Sequence, residues 1–426
     1  MNQPQYVQIN NTLIFLDKQL SKTDIEHINM KFVLYFIAPF VETIDSGVFL
    51  TKQQIRFAWF PRAKQFGDRA FAQCKNLFSI VCDNVEEIGE ECFKDCYNLT
   101  SATLNRIKQL PSKAFNDTAI QLIRCDSCIK IAKDCCNGNL QLETIDFATL
   151  TKINFDSNFQ NCKNLVNFRM PMVKNVNGEI KGQINVSADS NNMIKQRGIV
   201  NDIPKTKWMP DFINRKLNNI GDKVLNRTLV TQTFQTQQIN RIKGLVLLNQ
   251  ISIQQEVFYD NKMLNFVYAP LTKSVEYMAF QECYFLSRFI SHKLQFVGKQ
   301  AFCSCYALSD IDLSKVTTIE EDAFFNTSLV NVKLPCLEKL CNCLSDQVLQ
   351  VIGLKLTSIS QQCVKTLKIA NVVAPNLEIG RNQEIKFQEI YIDRFAERWS
   401  LKKSIEKSSK ICALVRESVV CKKAGK

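Results

Sequence analysis

The chain has 426 residues, 46% hydrophobic and 22% charged, which is enough apolar material for a continuous core and excludes an intrinsically disordered protein. The formal charge is +13, and it is unevenly placed: Lys174 to Lys243 holds twelve basic and five acidic residues, and Arg394 to Lys426 ten and three. No stretch reaches ~18 uninterrupted apolar residues, so no transmembrane helix is expected. Met1 to Lys22 lacks the basic start, apolar run and small-residue cleavage site of a secretory signal, and the expected localisation is cytoplasmic.

Along the chain, Ile25 to Ile44 reads as the strand half of a first coil without its own anchor, with Phe32 to Val41 as a core strand. A regular pattern then begins. Phe49, Phe71, Phe93 and Phe115 stand 22 residues apart, and so do Phe258, Phe280, Phe302 and Phe324. Phe is only 29 of 426 residues, so six equal intervals are not chance; a fixed period of this length marks a stacked solenoid.

Aligned on these anchors, Ile88-Gly89-Glu90-Glu91-Cys92-Phe93-Lys94-Asp95-Cys96-Tyr97-Asn98-Leu99 continues into Thr100-Ser101-Ala102-Thr103-Leu104, and Val297 to Leu313 repeats the arrangement. The unit is I-G-x-x-A-F-x-x-C-x-x-L-x-x-I-x-L. Its tail alternates apolar and polar residues, as a short strand with one buried face does. Its A-F-x-x-C part spaces apolar groups by three, which predicts a helical or 3-10 turn on the opposite wall. The glycines at Gly67, Gly89 and Gly298 suit positive φ or close backbone approach. Cys136 takes the anchor place in Ile131 to Phe147, and Phe115 and Phe324 are followed by Thr118 and Thr327 where other units carry Cys.

These residues resemble the BspA-type leucine-rich repeat family, closely in Phe66 to Met170 and Val275 to Leu313 and more weakly over roughly 44–176 and 253–370. In the ordinary leucine-rich consensus an Asn or Cys follows the strand; here a Cys precedes it. The resemblance implies an α/β repeat solenoid, a right-handed leucine-rich-repeat arc with short parallel strands on its concave wall. Members of this class mostly bind proteins, some are surface adhesins, and no catalytic residues come with the family.

The expected organisation is an N-terminal cap and first coil (1–48), a first array (49–176), an irregular basic junction with degenerate repeats (177–252), a second array (253–392) and a basic amphipathic C-terminal helix or tail (393–426). Asn219 to Leu225 looks like a repeat restarting, and Leu344 and Val364 serve as weaker anchors after Phe324. Leu401, Ile405, Cys412, Val415 and Val419 fall on one side of a helical wheel, the face of a helix that would cover the last coil.

Chemical motifs are few. Cys74, Cys96, Cys162, Cys283 and Cys305 fall on one repeat position, a stack of small buried thiols expected to be reduced and free of metal. Cys125-Asp126-Ser127-Cys128 has redox or zinc spacing, but Cys125 aligns with the last strand position of its repeat. The two histidines are His27 and His292, the latter near Cys283 in sequence; with 13 glycines there is little material for a phosphate loop. Glu90-Glu91 and Glu320-Glu321 read as solvated turns. No enzyme activity, cofactor or small-molecule substrate is expected.

Strand residues flanking the buried Ile position should point outward. Phe266, Tyr268, Arg288 and Ile290 then form an aromatic, Arg and aliphatic cluster beside Asp310 and Asp312, the composition of a binding hot spot. The alternative for Phe266 is packing against the junction. The expected function is a protein-interaction scaffold binding a macromolecular partner on the concave face. The alternatives are nucleic acid or anionic membrane bound through the basic junction and tail, or a cell-surface adhesin.

Overall fold

The computed structural model describes residues 5–165, 167–178, 228–234, 242–367 and 371–377. The chain divides into two compact units, one carrying the coils up to residue 178 and the other those between 228 and 377. The expected C-terminal helix, the restart at 219–225 and most of the junction lie outside the described residues.

Each coil runs through a strand wall, a second strand wall and a turn wall. In the first unit the strand wall begins with an antiparallel hairpin, Tyr6–Ile9 on Thr12–Phe15. It continues in parallel through Tyr35–Ile37, Phe57–Trp59, Ser79–Val81 and Ser101–Ala102, and then through Leu122–Cys125, Thr144–Phe147 and Asn167–Arg169. The first coil therefore starts at Thr12, earlier than expected, and the chain from Lys22 to Glu26 is a short helix (α1) with Ser21 as its cap. The second wall stacks two-residue strands: Gln19–Leu20, Thr43–Ile44, Gln65–Phe66 and Glu87–Ile88. In the second unit Thr228–Thr231, Gly244–Leu247, Phe266–Tyr268, Arg288–Ile290 and Asp310–Ile311 form the strand wall, all parallel. The register is one repeat per strand, Phe266 opposite Arg288 and Arg288 opposite Asp310.

The turn wall departs from the expected helical turns. The residues two before and two after each anchor are left-handed, for example Glu91 (φ 53°) and Asp95 (φ 58°) around Phe93, and Gln300 (55°) and Ser304 (59°) around Phe302. Alternating left- and right-handed residues aim every second N–H along the stack. Glu91, Phe93 and Asp95 N–H thus donate to the Ser112, Ala114 and Asn116 carbonyls of the next coil, at 3.0, 2.9 and 3.0 Å. A helix would have spent those donors on itself. Each non-glycine left-handed residue costs about 1–2 kcal/mol, which the inter-coil bonds offset. Among the described residues, helix occurs only in α1, in α2 (Phe155–Asn158), in α3 (Gln361–Thr366) and in a 3-10 turn at Met30–Phe32. At Gly67 and Gly298 the reason for glycine is close approach rather than positive φ: a Cβ would stand 2.5 Å from Ser46 N and 2.9 Å from the Glu276 carbonyl carbon.

The anchors form two columns of rings. Phe49, Phe71, Phe93 and Phe115 stack at centroid distances of 4.9, 5.4 and 5.2 Å with planes within 16°. Phe258, Phe280, Phe302 and Phe324 stack at 5.0, 5.3 and 5.5 Å within 11°. Ring spacing therefore follows the strand-to-strand distance of ~4.8 Å, with a slight offset. Leu344 bridges Phe324 as the next anchor, whereas one coil later the buried residue is Cys363 in α3 rather than Val364.

The aligned thiols have a defined task. Cys74, Cys96, Cys283 and Cys305 each donate to the carbonyl of the preceding coil's anchor, Phe49, Phe71, Phe258 and Phe280, at 3.0, 3.0, 3.0 and 3.1 Å. Cys162 does the same to Cys136 O at 3.1 Å. Thr327 instead donates to its own coil's anchor carbonyl, Phe324 O at 2.9 Å, whereas the Thr118 hydroxyl donates to Asn139 Oδ1 at 2.7 Å and Asn139 Nδ2 donates to Phe115 O at 2.8 Å. Either way a buried carbonyl is satisfied. The described cysteines are all free.

Candidate functional site

The strand wall was expected to present its outward residues to solvent, and it does so unevenly. Phe266, Tyr268 and Arg288 are buried, at 1%, 5% and 7% exposure, which corrects the expectation that they point out as an open cluster. Phe266 lies across Gly244 of the neighbouring strand, where any Cβ would meet its ring and the Thr228 hydroxyl. The junction strands thus take the aromatic, which is the alternative raised for Phe266. Ile290 is half-buried, and Asp310 and Asp312 are exposed.

The exposed members are held by cross-strand partners. Arg288 Nε stands 3.2 Å from Asp310 Oδ2, and His292 Nδ1 3.5 Å from Asp312 Oδ2. Asp312 Oδ1 also accepts from Ser314 N–H at 3.0 Å. Partial burial pushes the Asp312 carboxyl up, and the bonds from Ser314 and His292 outweigh it, so that its pKa is lowered. In the first unit the corresponding strands carry a different row: Arg169 Nη1 and Arg124 Nε flank Asp146 at 3.2 and 3.9 Å, beside the exposed Leu122.

The other candidates resolve as structure. Cys125 and Cys128 are fully buried, and their thiols donate to Ile107 O (2.9 Å) and Lys130 O (3.4 Å). Among the described residues no group of three or more His, Cys, Asp or Glu could hold a metal ion. His292 faces Asp312, while Cys283 is sealed in the core with its thiol on Phe258 O. Burial pushes the Cys82 and Cys162 thiols up to about 12, far from a nucleophile's range. Glu91 is more than a solvated turn: it contacts Arg69 at 2.8 Å, Lys94 at 3.5 Å and Lys113 at 3.8 Å across three coils.

Two surface features leave little trace in the sequence pattern. On the turn wall of the second unit Tyr259, Tyr277 and Phe325 are exposed, with Tyr284 and Tyr306 paired at 5.2 Å and Lys262 Nζ 4.9 Å over Tyr284. Their one signal is aromatic residues at non-anchor positions of the repeat. In the first unit a groove of about 600 Å³ opens beside Lys152–Asn154 and Asn175–Asn177.

A profile of the BspA type leucine-rich repeat region matches residues 37–178 and 227–350, in six copies. The chain belongs to the BspA-type leucine-rich repeat family. The described coils of this BspA-type chain begin before the first matched stretch, at Thr12, and continue past the second, to Val373. Among solved structures it is similar to a leucine-rich repeat protein from Bacteroides ovatus, at 13% identity over 88% of this chain and 90% of that one, with a TM-score of 0.27. It is also similar to a leucine-rich cell surface protein from Faecalibacterium prausnitzii, at 14% over 88% and 94%, TM-score 0.25. The functional domain of InlJ from Listeria monocytogenes matches at 10% over 85% and 68%, TM-score 0.25. No curated protein matches.

Proposed function

We propose that this BspA-type chain is a non-enzymatic protein-interaction scaffold whose second unit binds a partner on the strand wall around Ile290, Asp310 and Asp312. The observation that carries the reading is the pre-set acidic pair: the Arg288–Asp310 and His292–Asp312 contacts hold one carboxylate on the last strand of the ladder and the other just beyond that strand's end. A surface ordered before association loses little entropy on binding, so a few such residues can dominate the affinity. The chemistry favours a partner segment carrying Lys or Arg next to an aliphatic side chain. The sealed thiols, with Cys283 bonded to Phe258 O and His292 to Asp312, support a scaffold rather than an enzyme. Free thiols bonded to backbone carbonyls support a reducing, cytoplasmic setting.

The test is affinity capture from the native cell with wild type and with Asp310→Lys/Asp312→Lys. Loss of a salt-resistant protein partner with unchanged melting is the expected result. Capture of nucleic acid or lipid that disappears at high salt, and is indifferent to this double variant, would replace the reading with binding through the basic junction and tail.

A further inference from the structure

The groove in the first unit has the wrong lining for a peptide's apolar anchors and the right one for an anion. Its wall is built by the last second-wall strands: Lys152 lies opposite Asn175 and Asn154 opposite Asn177 in parallel register. Lys133 from the preceding turn and Lys174 from the following one complete it. Lys133, Lys152 and Lys174 are exposed, and among the described residues none of them makes an ion pair and no carboxylate lines the groove. Asp134, the nearest acid in sequence to Lys133, has its Oδ1 on Asn137 Nδ2 at 2.8 Å. Asn154 Oδ1 accepts from Ser157 N–H at 3.0 Å, which leaves its amide NH₂ as a donor.

We infer that this groove binds a compact, multiply charged phosphate ester. Three lysines and several asparagine side chains line a space of about 600 Å³, inside the ~300–1,000 Å³ typical of small-ligand sites. Like charges held on neighbouring coils without acid partners cost stability, and an oxyanion of comparable charge relieves that cost through charge-assisted hydrogen bonds. The register argues against a long polyanion: the Lys152 place is held by Lys130 in the coil before but by Gln109, Glu87 and Gln65 in the coils further back, so the basic run ends after two coils. A nucleic acid tracking the solenoid would meet no basic stripe there. The site is local and sized for one head group.

The experiment is calorimetric titration of the full chain with inositol hexakisphosphate, and flotation with phosphatidylcholine vesicles containing phosphatidylinositol bisphosphate. Two triple variants with equal loss of charge are compared, Lys133→Gln/Lys152→Gln/Lys174→Gln in the groove and Lys18→Gln/Lys31→Gln/Lys315→Gln elsewhere. The groove variant should bind about a hundredfold more weakly, since removing one charge-assisted hydrogen bond at an exposed site weakens binding roughly tenfold or less. The control triple should bind and melt as wild type, and the groove triple should melt at or slightly above wild type, since three repelling charges are removed. Binding of the free ester alone identifies a soluble ligand; vesicle binding displaced by the ester identifies a lipid head group. Equal weakening in both triples, or no binding of either probe by wild type, overturns the inference.

Discussion

The two units share one repeat and cover different stretches of its outward strand wall, Phe57 and Ser79 in the first and Phe266, Tyr268 and Arg288 in the second. Leu122, Arg124 and Arg169 of the first stand exposed around Asp146, as do Asp310, Asp312, Asn331 and Lys333 of the second. The inward half of both is nearly interchangeable, with ring columns of the same spacing and the same thiol-to-carbonyl bonds. Stacking therefore dictates what faces in, because every coil must match its neighbours. What faces out is decided by whatever else packs there.

The strongest way to break this equivalence is to empty the columns. Phe93→Ala and Phe302→Ala each leave a cavity between two stacked rings and should cost about 3–5 kcal/mol. Comparable drops in melting temperature are expected from both; a large effect in one alone would show that the columns differ in how they collapse. Next comes the outward wall of the second unit. Phe266→Ala should cost about 3 kcal/mol because its ring fills the space over Gly244. A change within ~0.5 kcal/mol would return Phe266 to the surface.

Sequence carried the inward half almost entirely. The 22-residue period, the anchors, Cys136 as a substitute, the aligned cysteines and Leu344 all reappear in place, because core positions repeat with fixed chemistry. The turn wall was misread since apolar spacing of three is common to a helical turn and to a chain of alternating handedness. Nor was there a glycine signal: Arg69, Glu91, Gln300 and Asp322 adopt left-handed φ with ordinary side chains. The expected exposure of Phe266, Tyr268 and Arg288 is corrected for a different reason. Alternation along a strand says which side a residue faces but not whether another segment lies on that side, and Phe266 and Tyr268 were aromatic because they are covered. The lysine groove was invisible since Lys133, Lys152 and Lys174 occupy three different repeat positions that only the coiling brings together.

The thiols test whether the inward half is the same in both units at finer scale. Cys96→Ala and Cys305→Ala each remove one of two hydrogen bonds to an anchor carbonyl, the other coming from Cys74 N–H or Cys283 N–H, and should cost about 0.5–1.5 kcal/mol. Burial holds these thiols well above their ordinary value. A raised folded pKa means stability that is complete below the unfolded thiol value of 9.0 and is lost as pH rises above it. Unfolding midpoints followed from neutral to alkaline pH should fall above that value, and alkylation should require unfolding. Rapid labelling of Cys96 in the folded protein would contradict the bonded, buried thiol.

The smallest effect belongs to the exposed row of the first unit, and its smallness is the point. Arg124 and Arg169 are each about half exposed, and Asp146 sits between them. An exposed ion pair contributes roughly 0–1 kcal/mol, and salt screens it further. Leu122 is 47% exposed, so truncation removes little buried area. Leu122→Ala and Arg124→Ala should therefore each shift stability by no more than ~0.5 kcal/mol, with Arg169→Ala slightly larger because its approach to Asp146 is shorter. Melting at low and high salt measures this directly, and the Arg169→Ala difference should vanish at high salt. If Leu122→Ala instead destabilises as strongly as Phe266→Ala, the outward wall of the first unit is covered at Leu122 too. The contrast between these two stretches would then be one of composition and not of exposure.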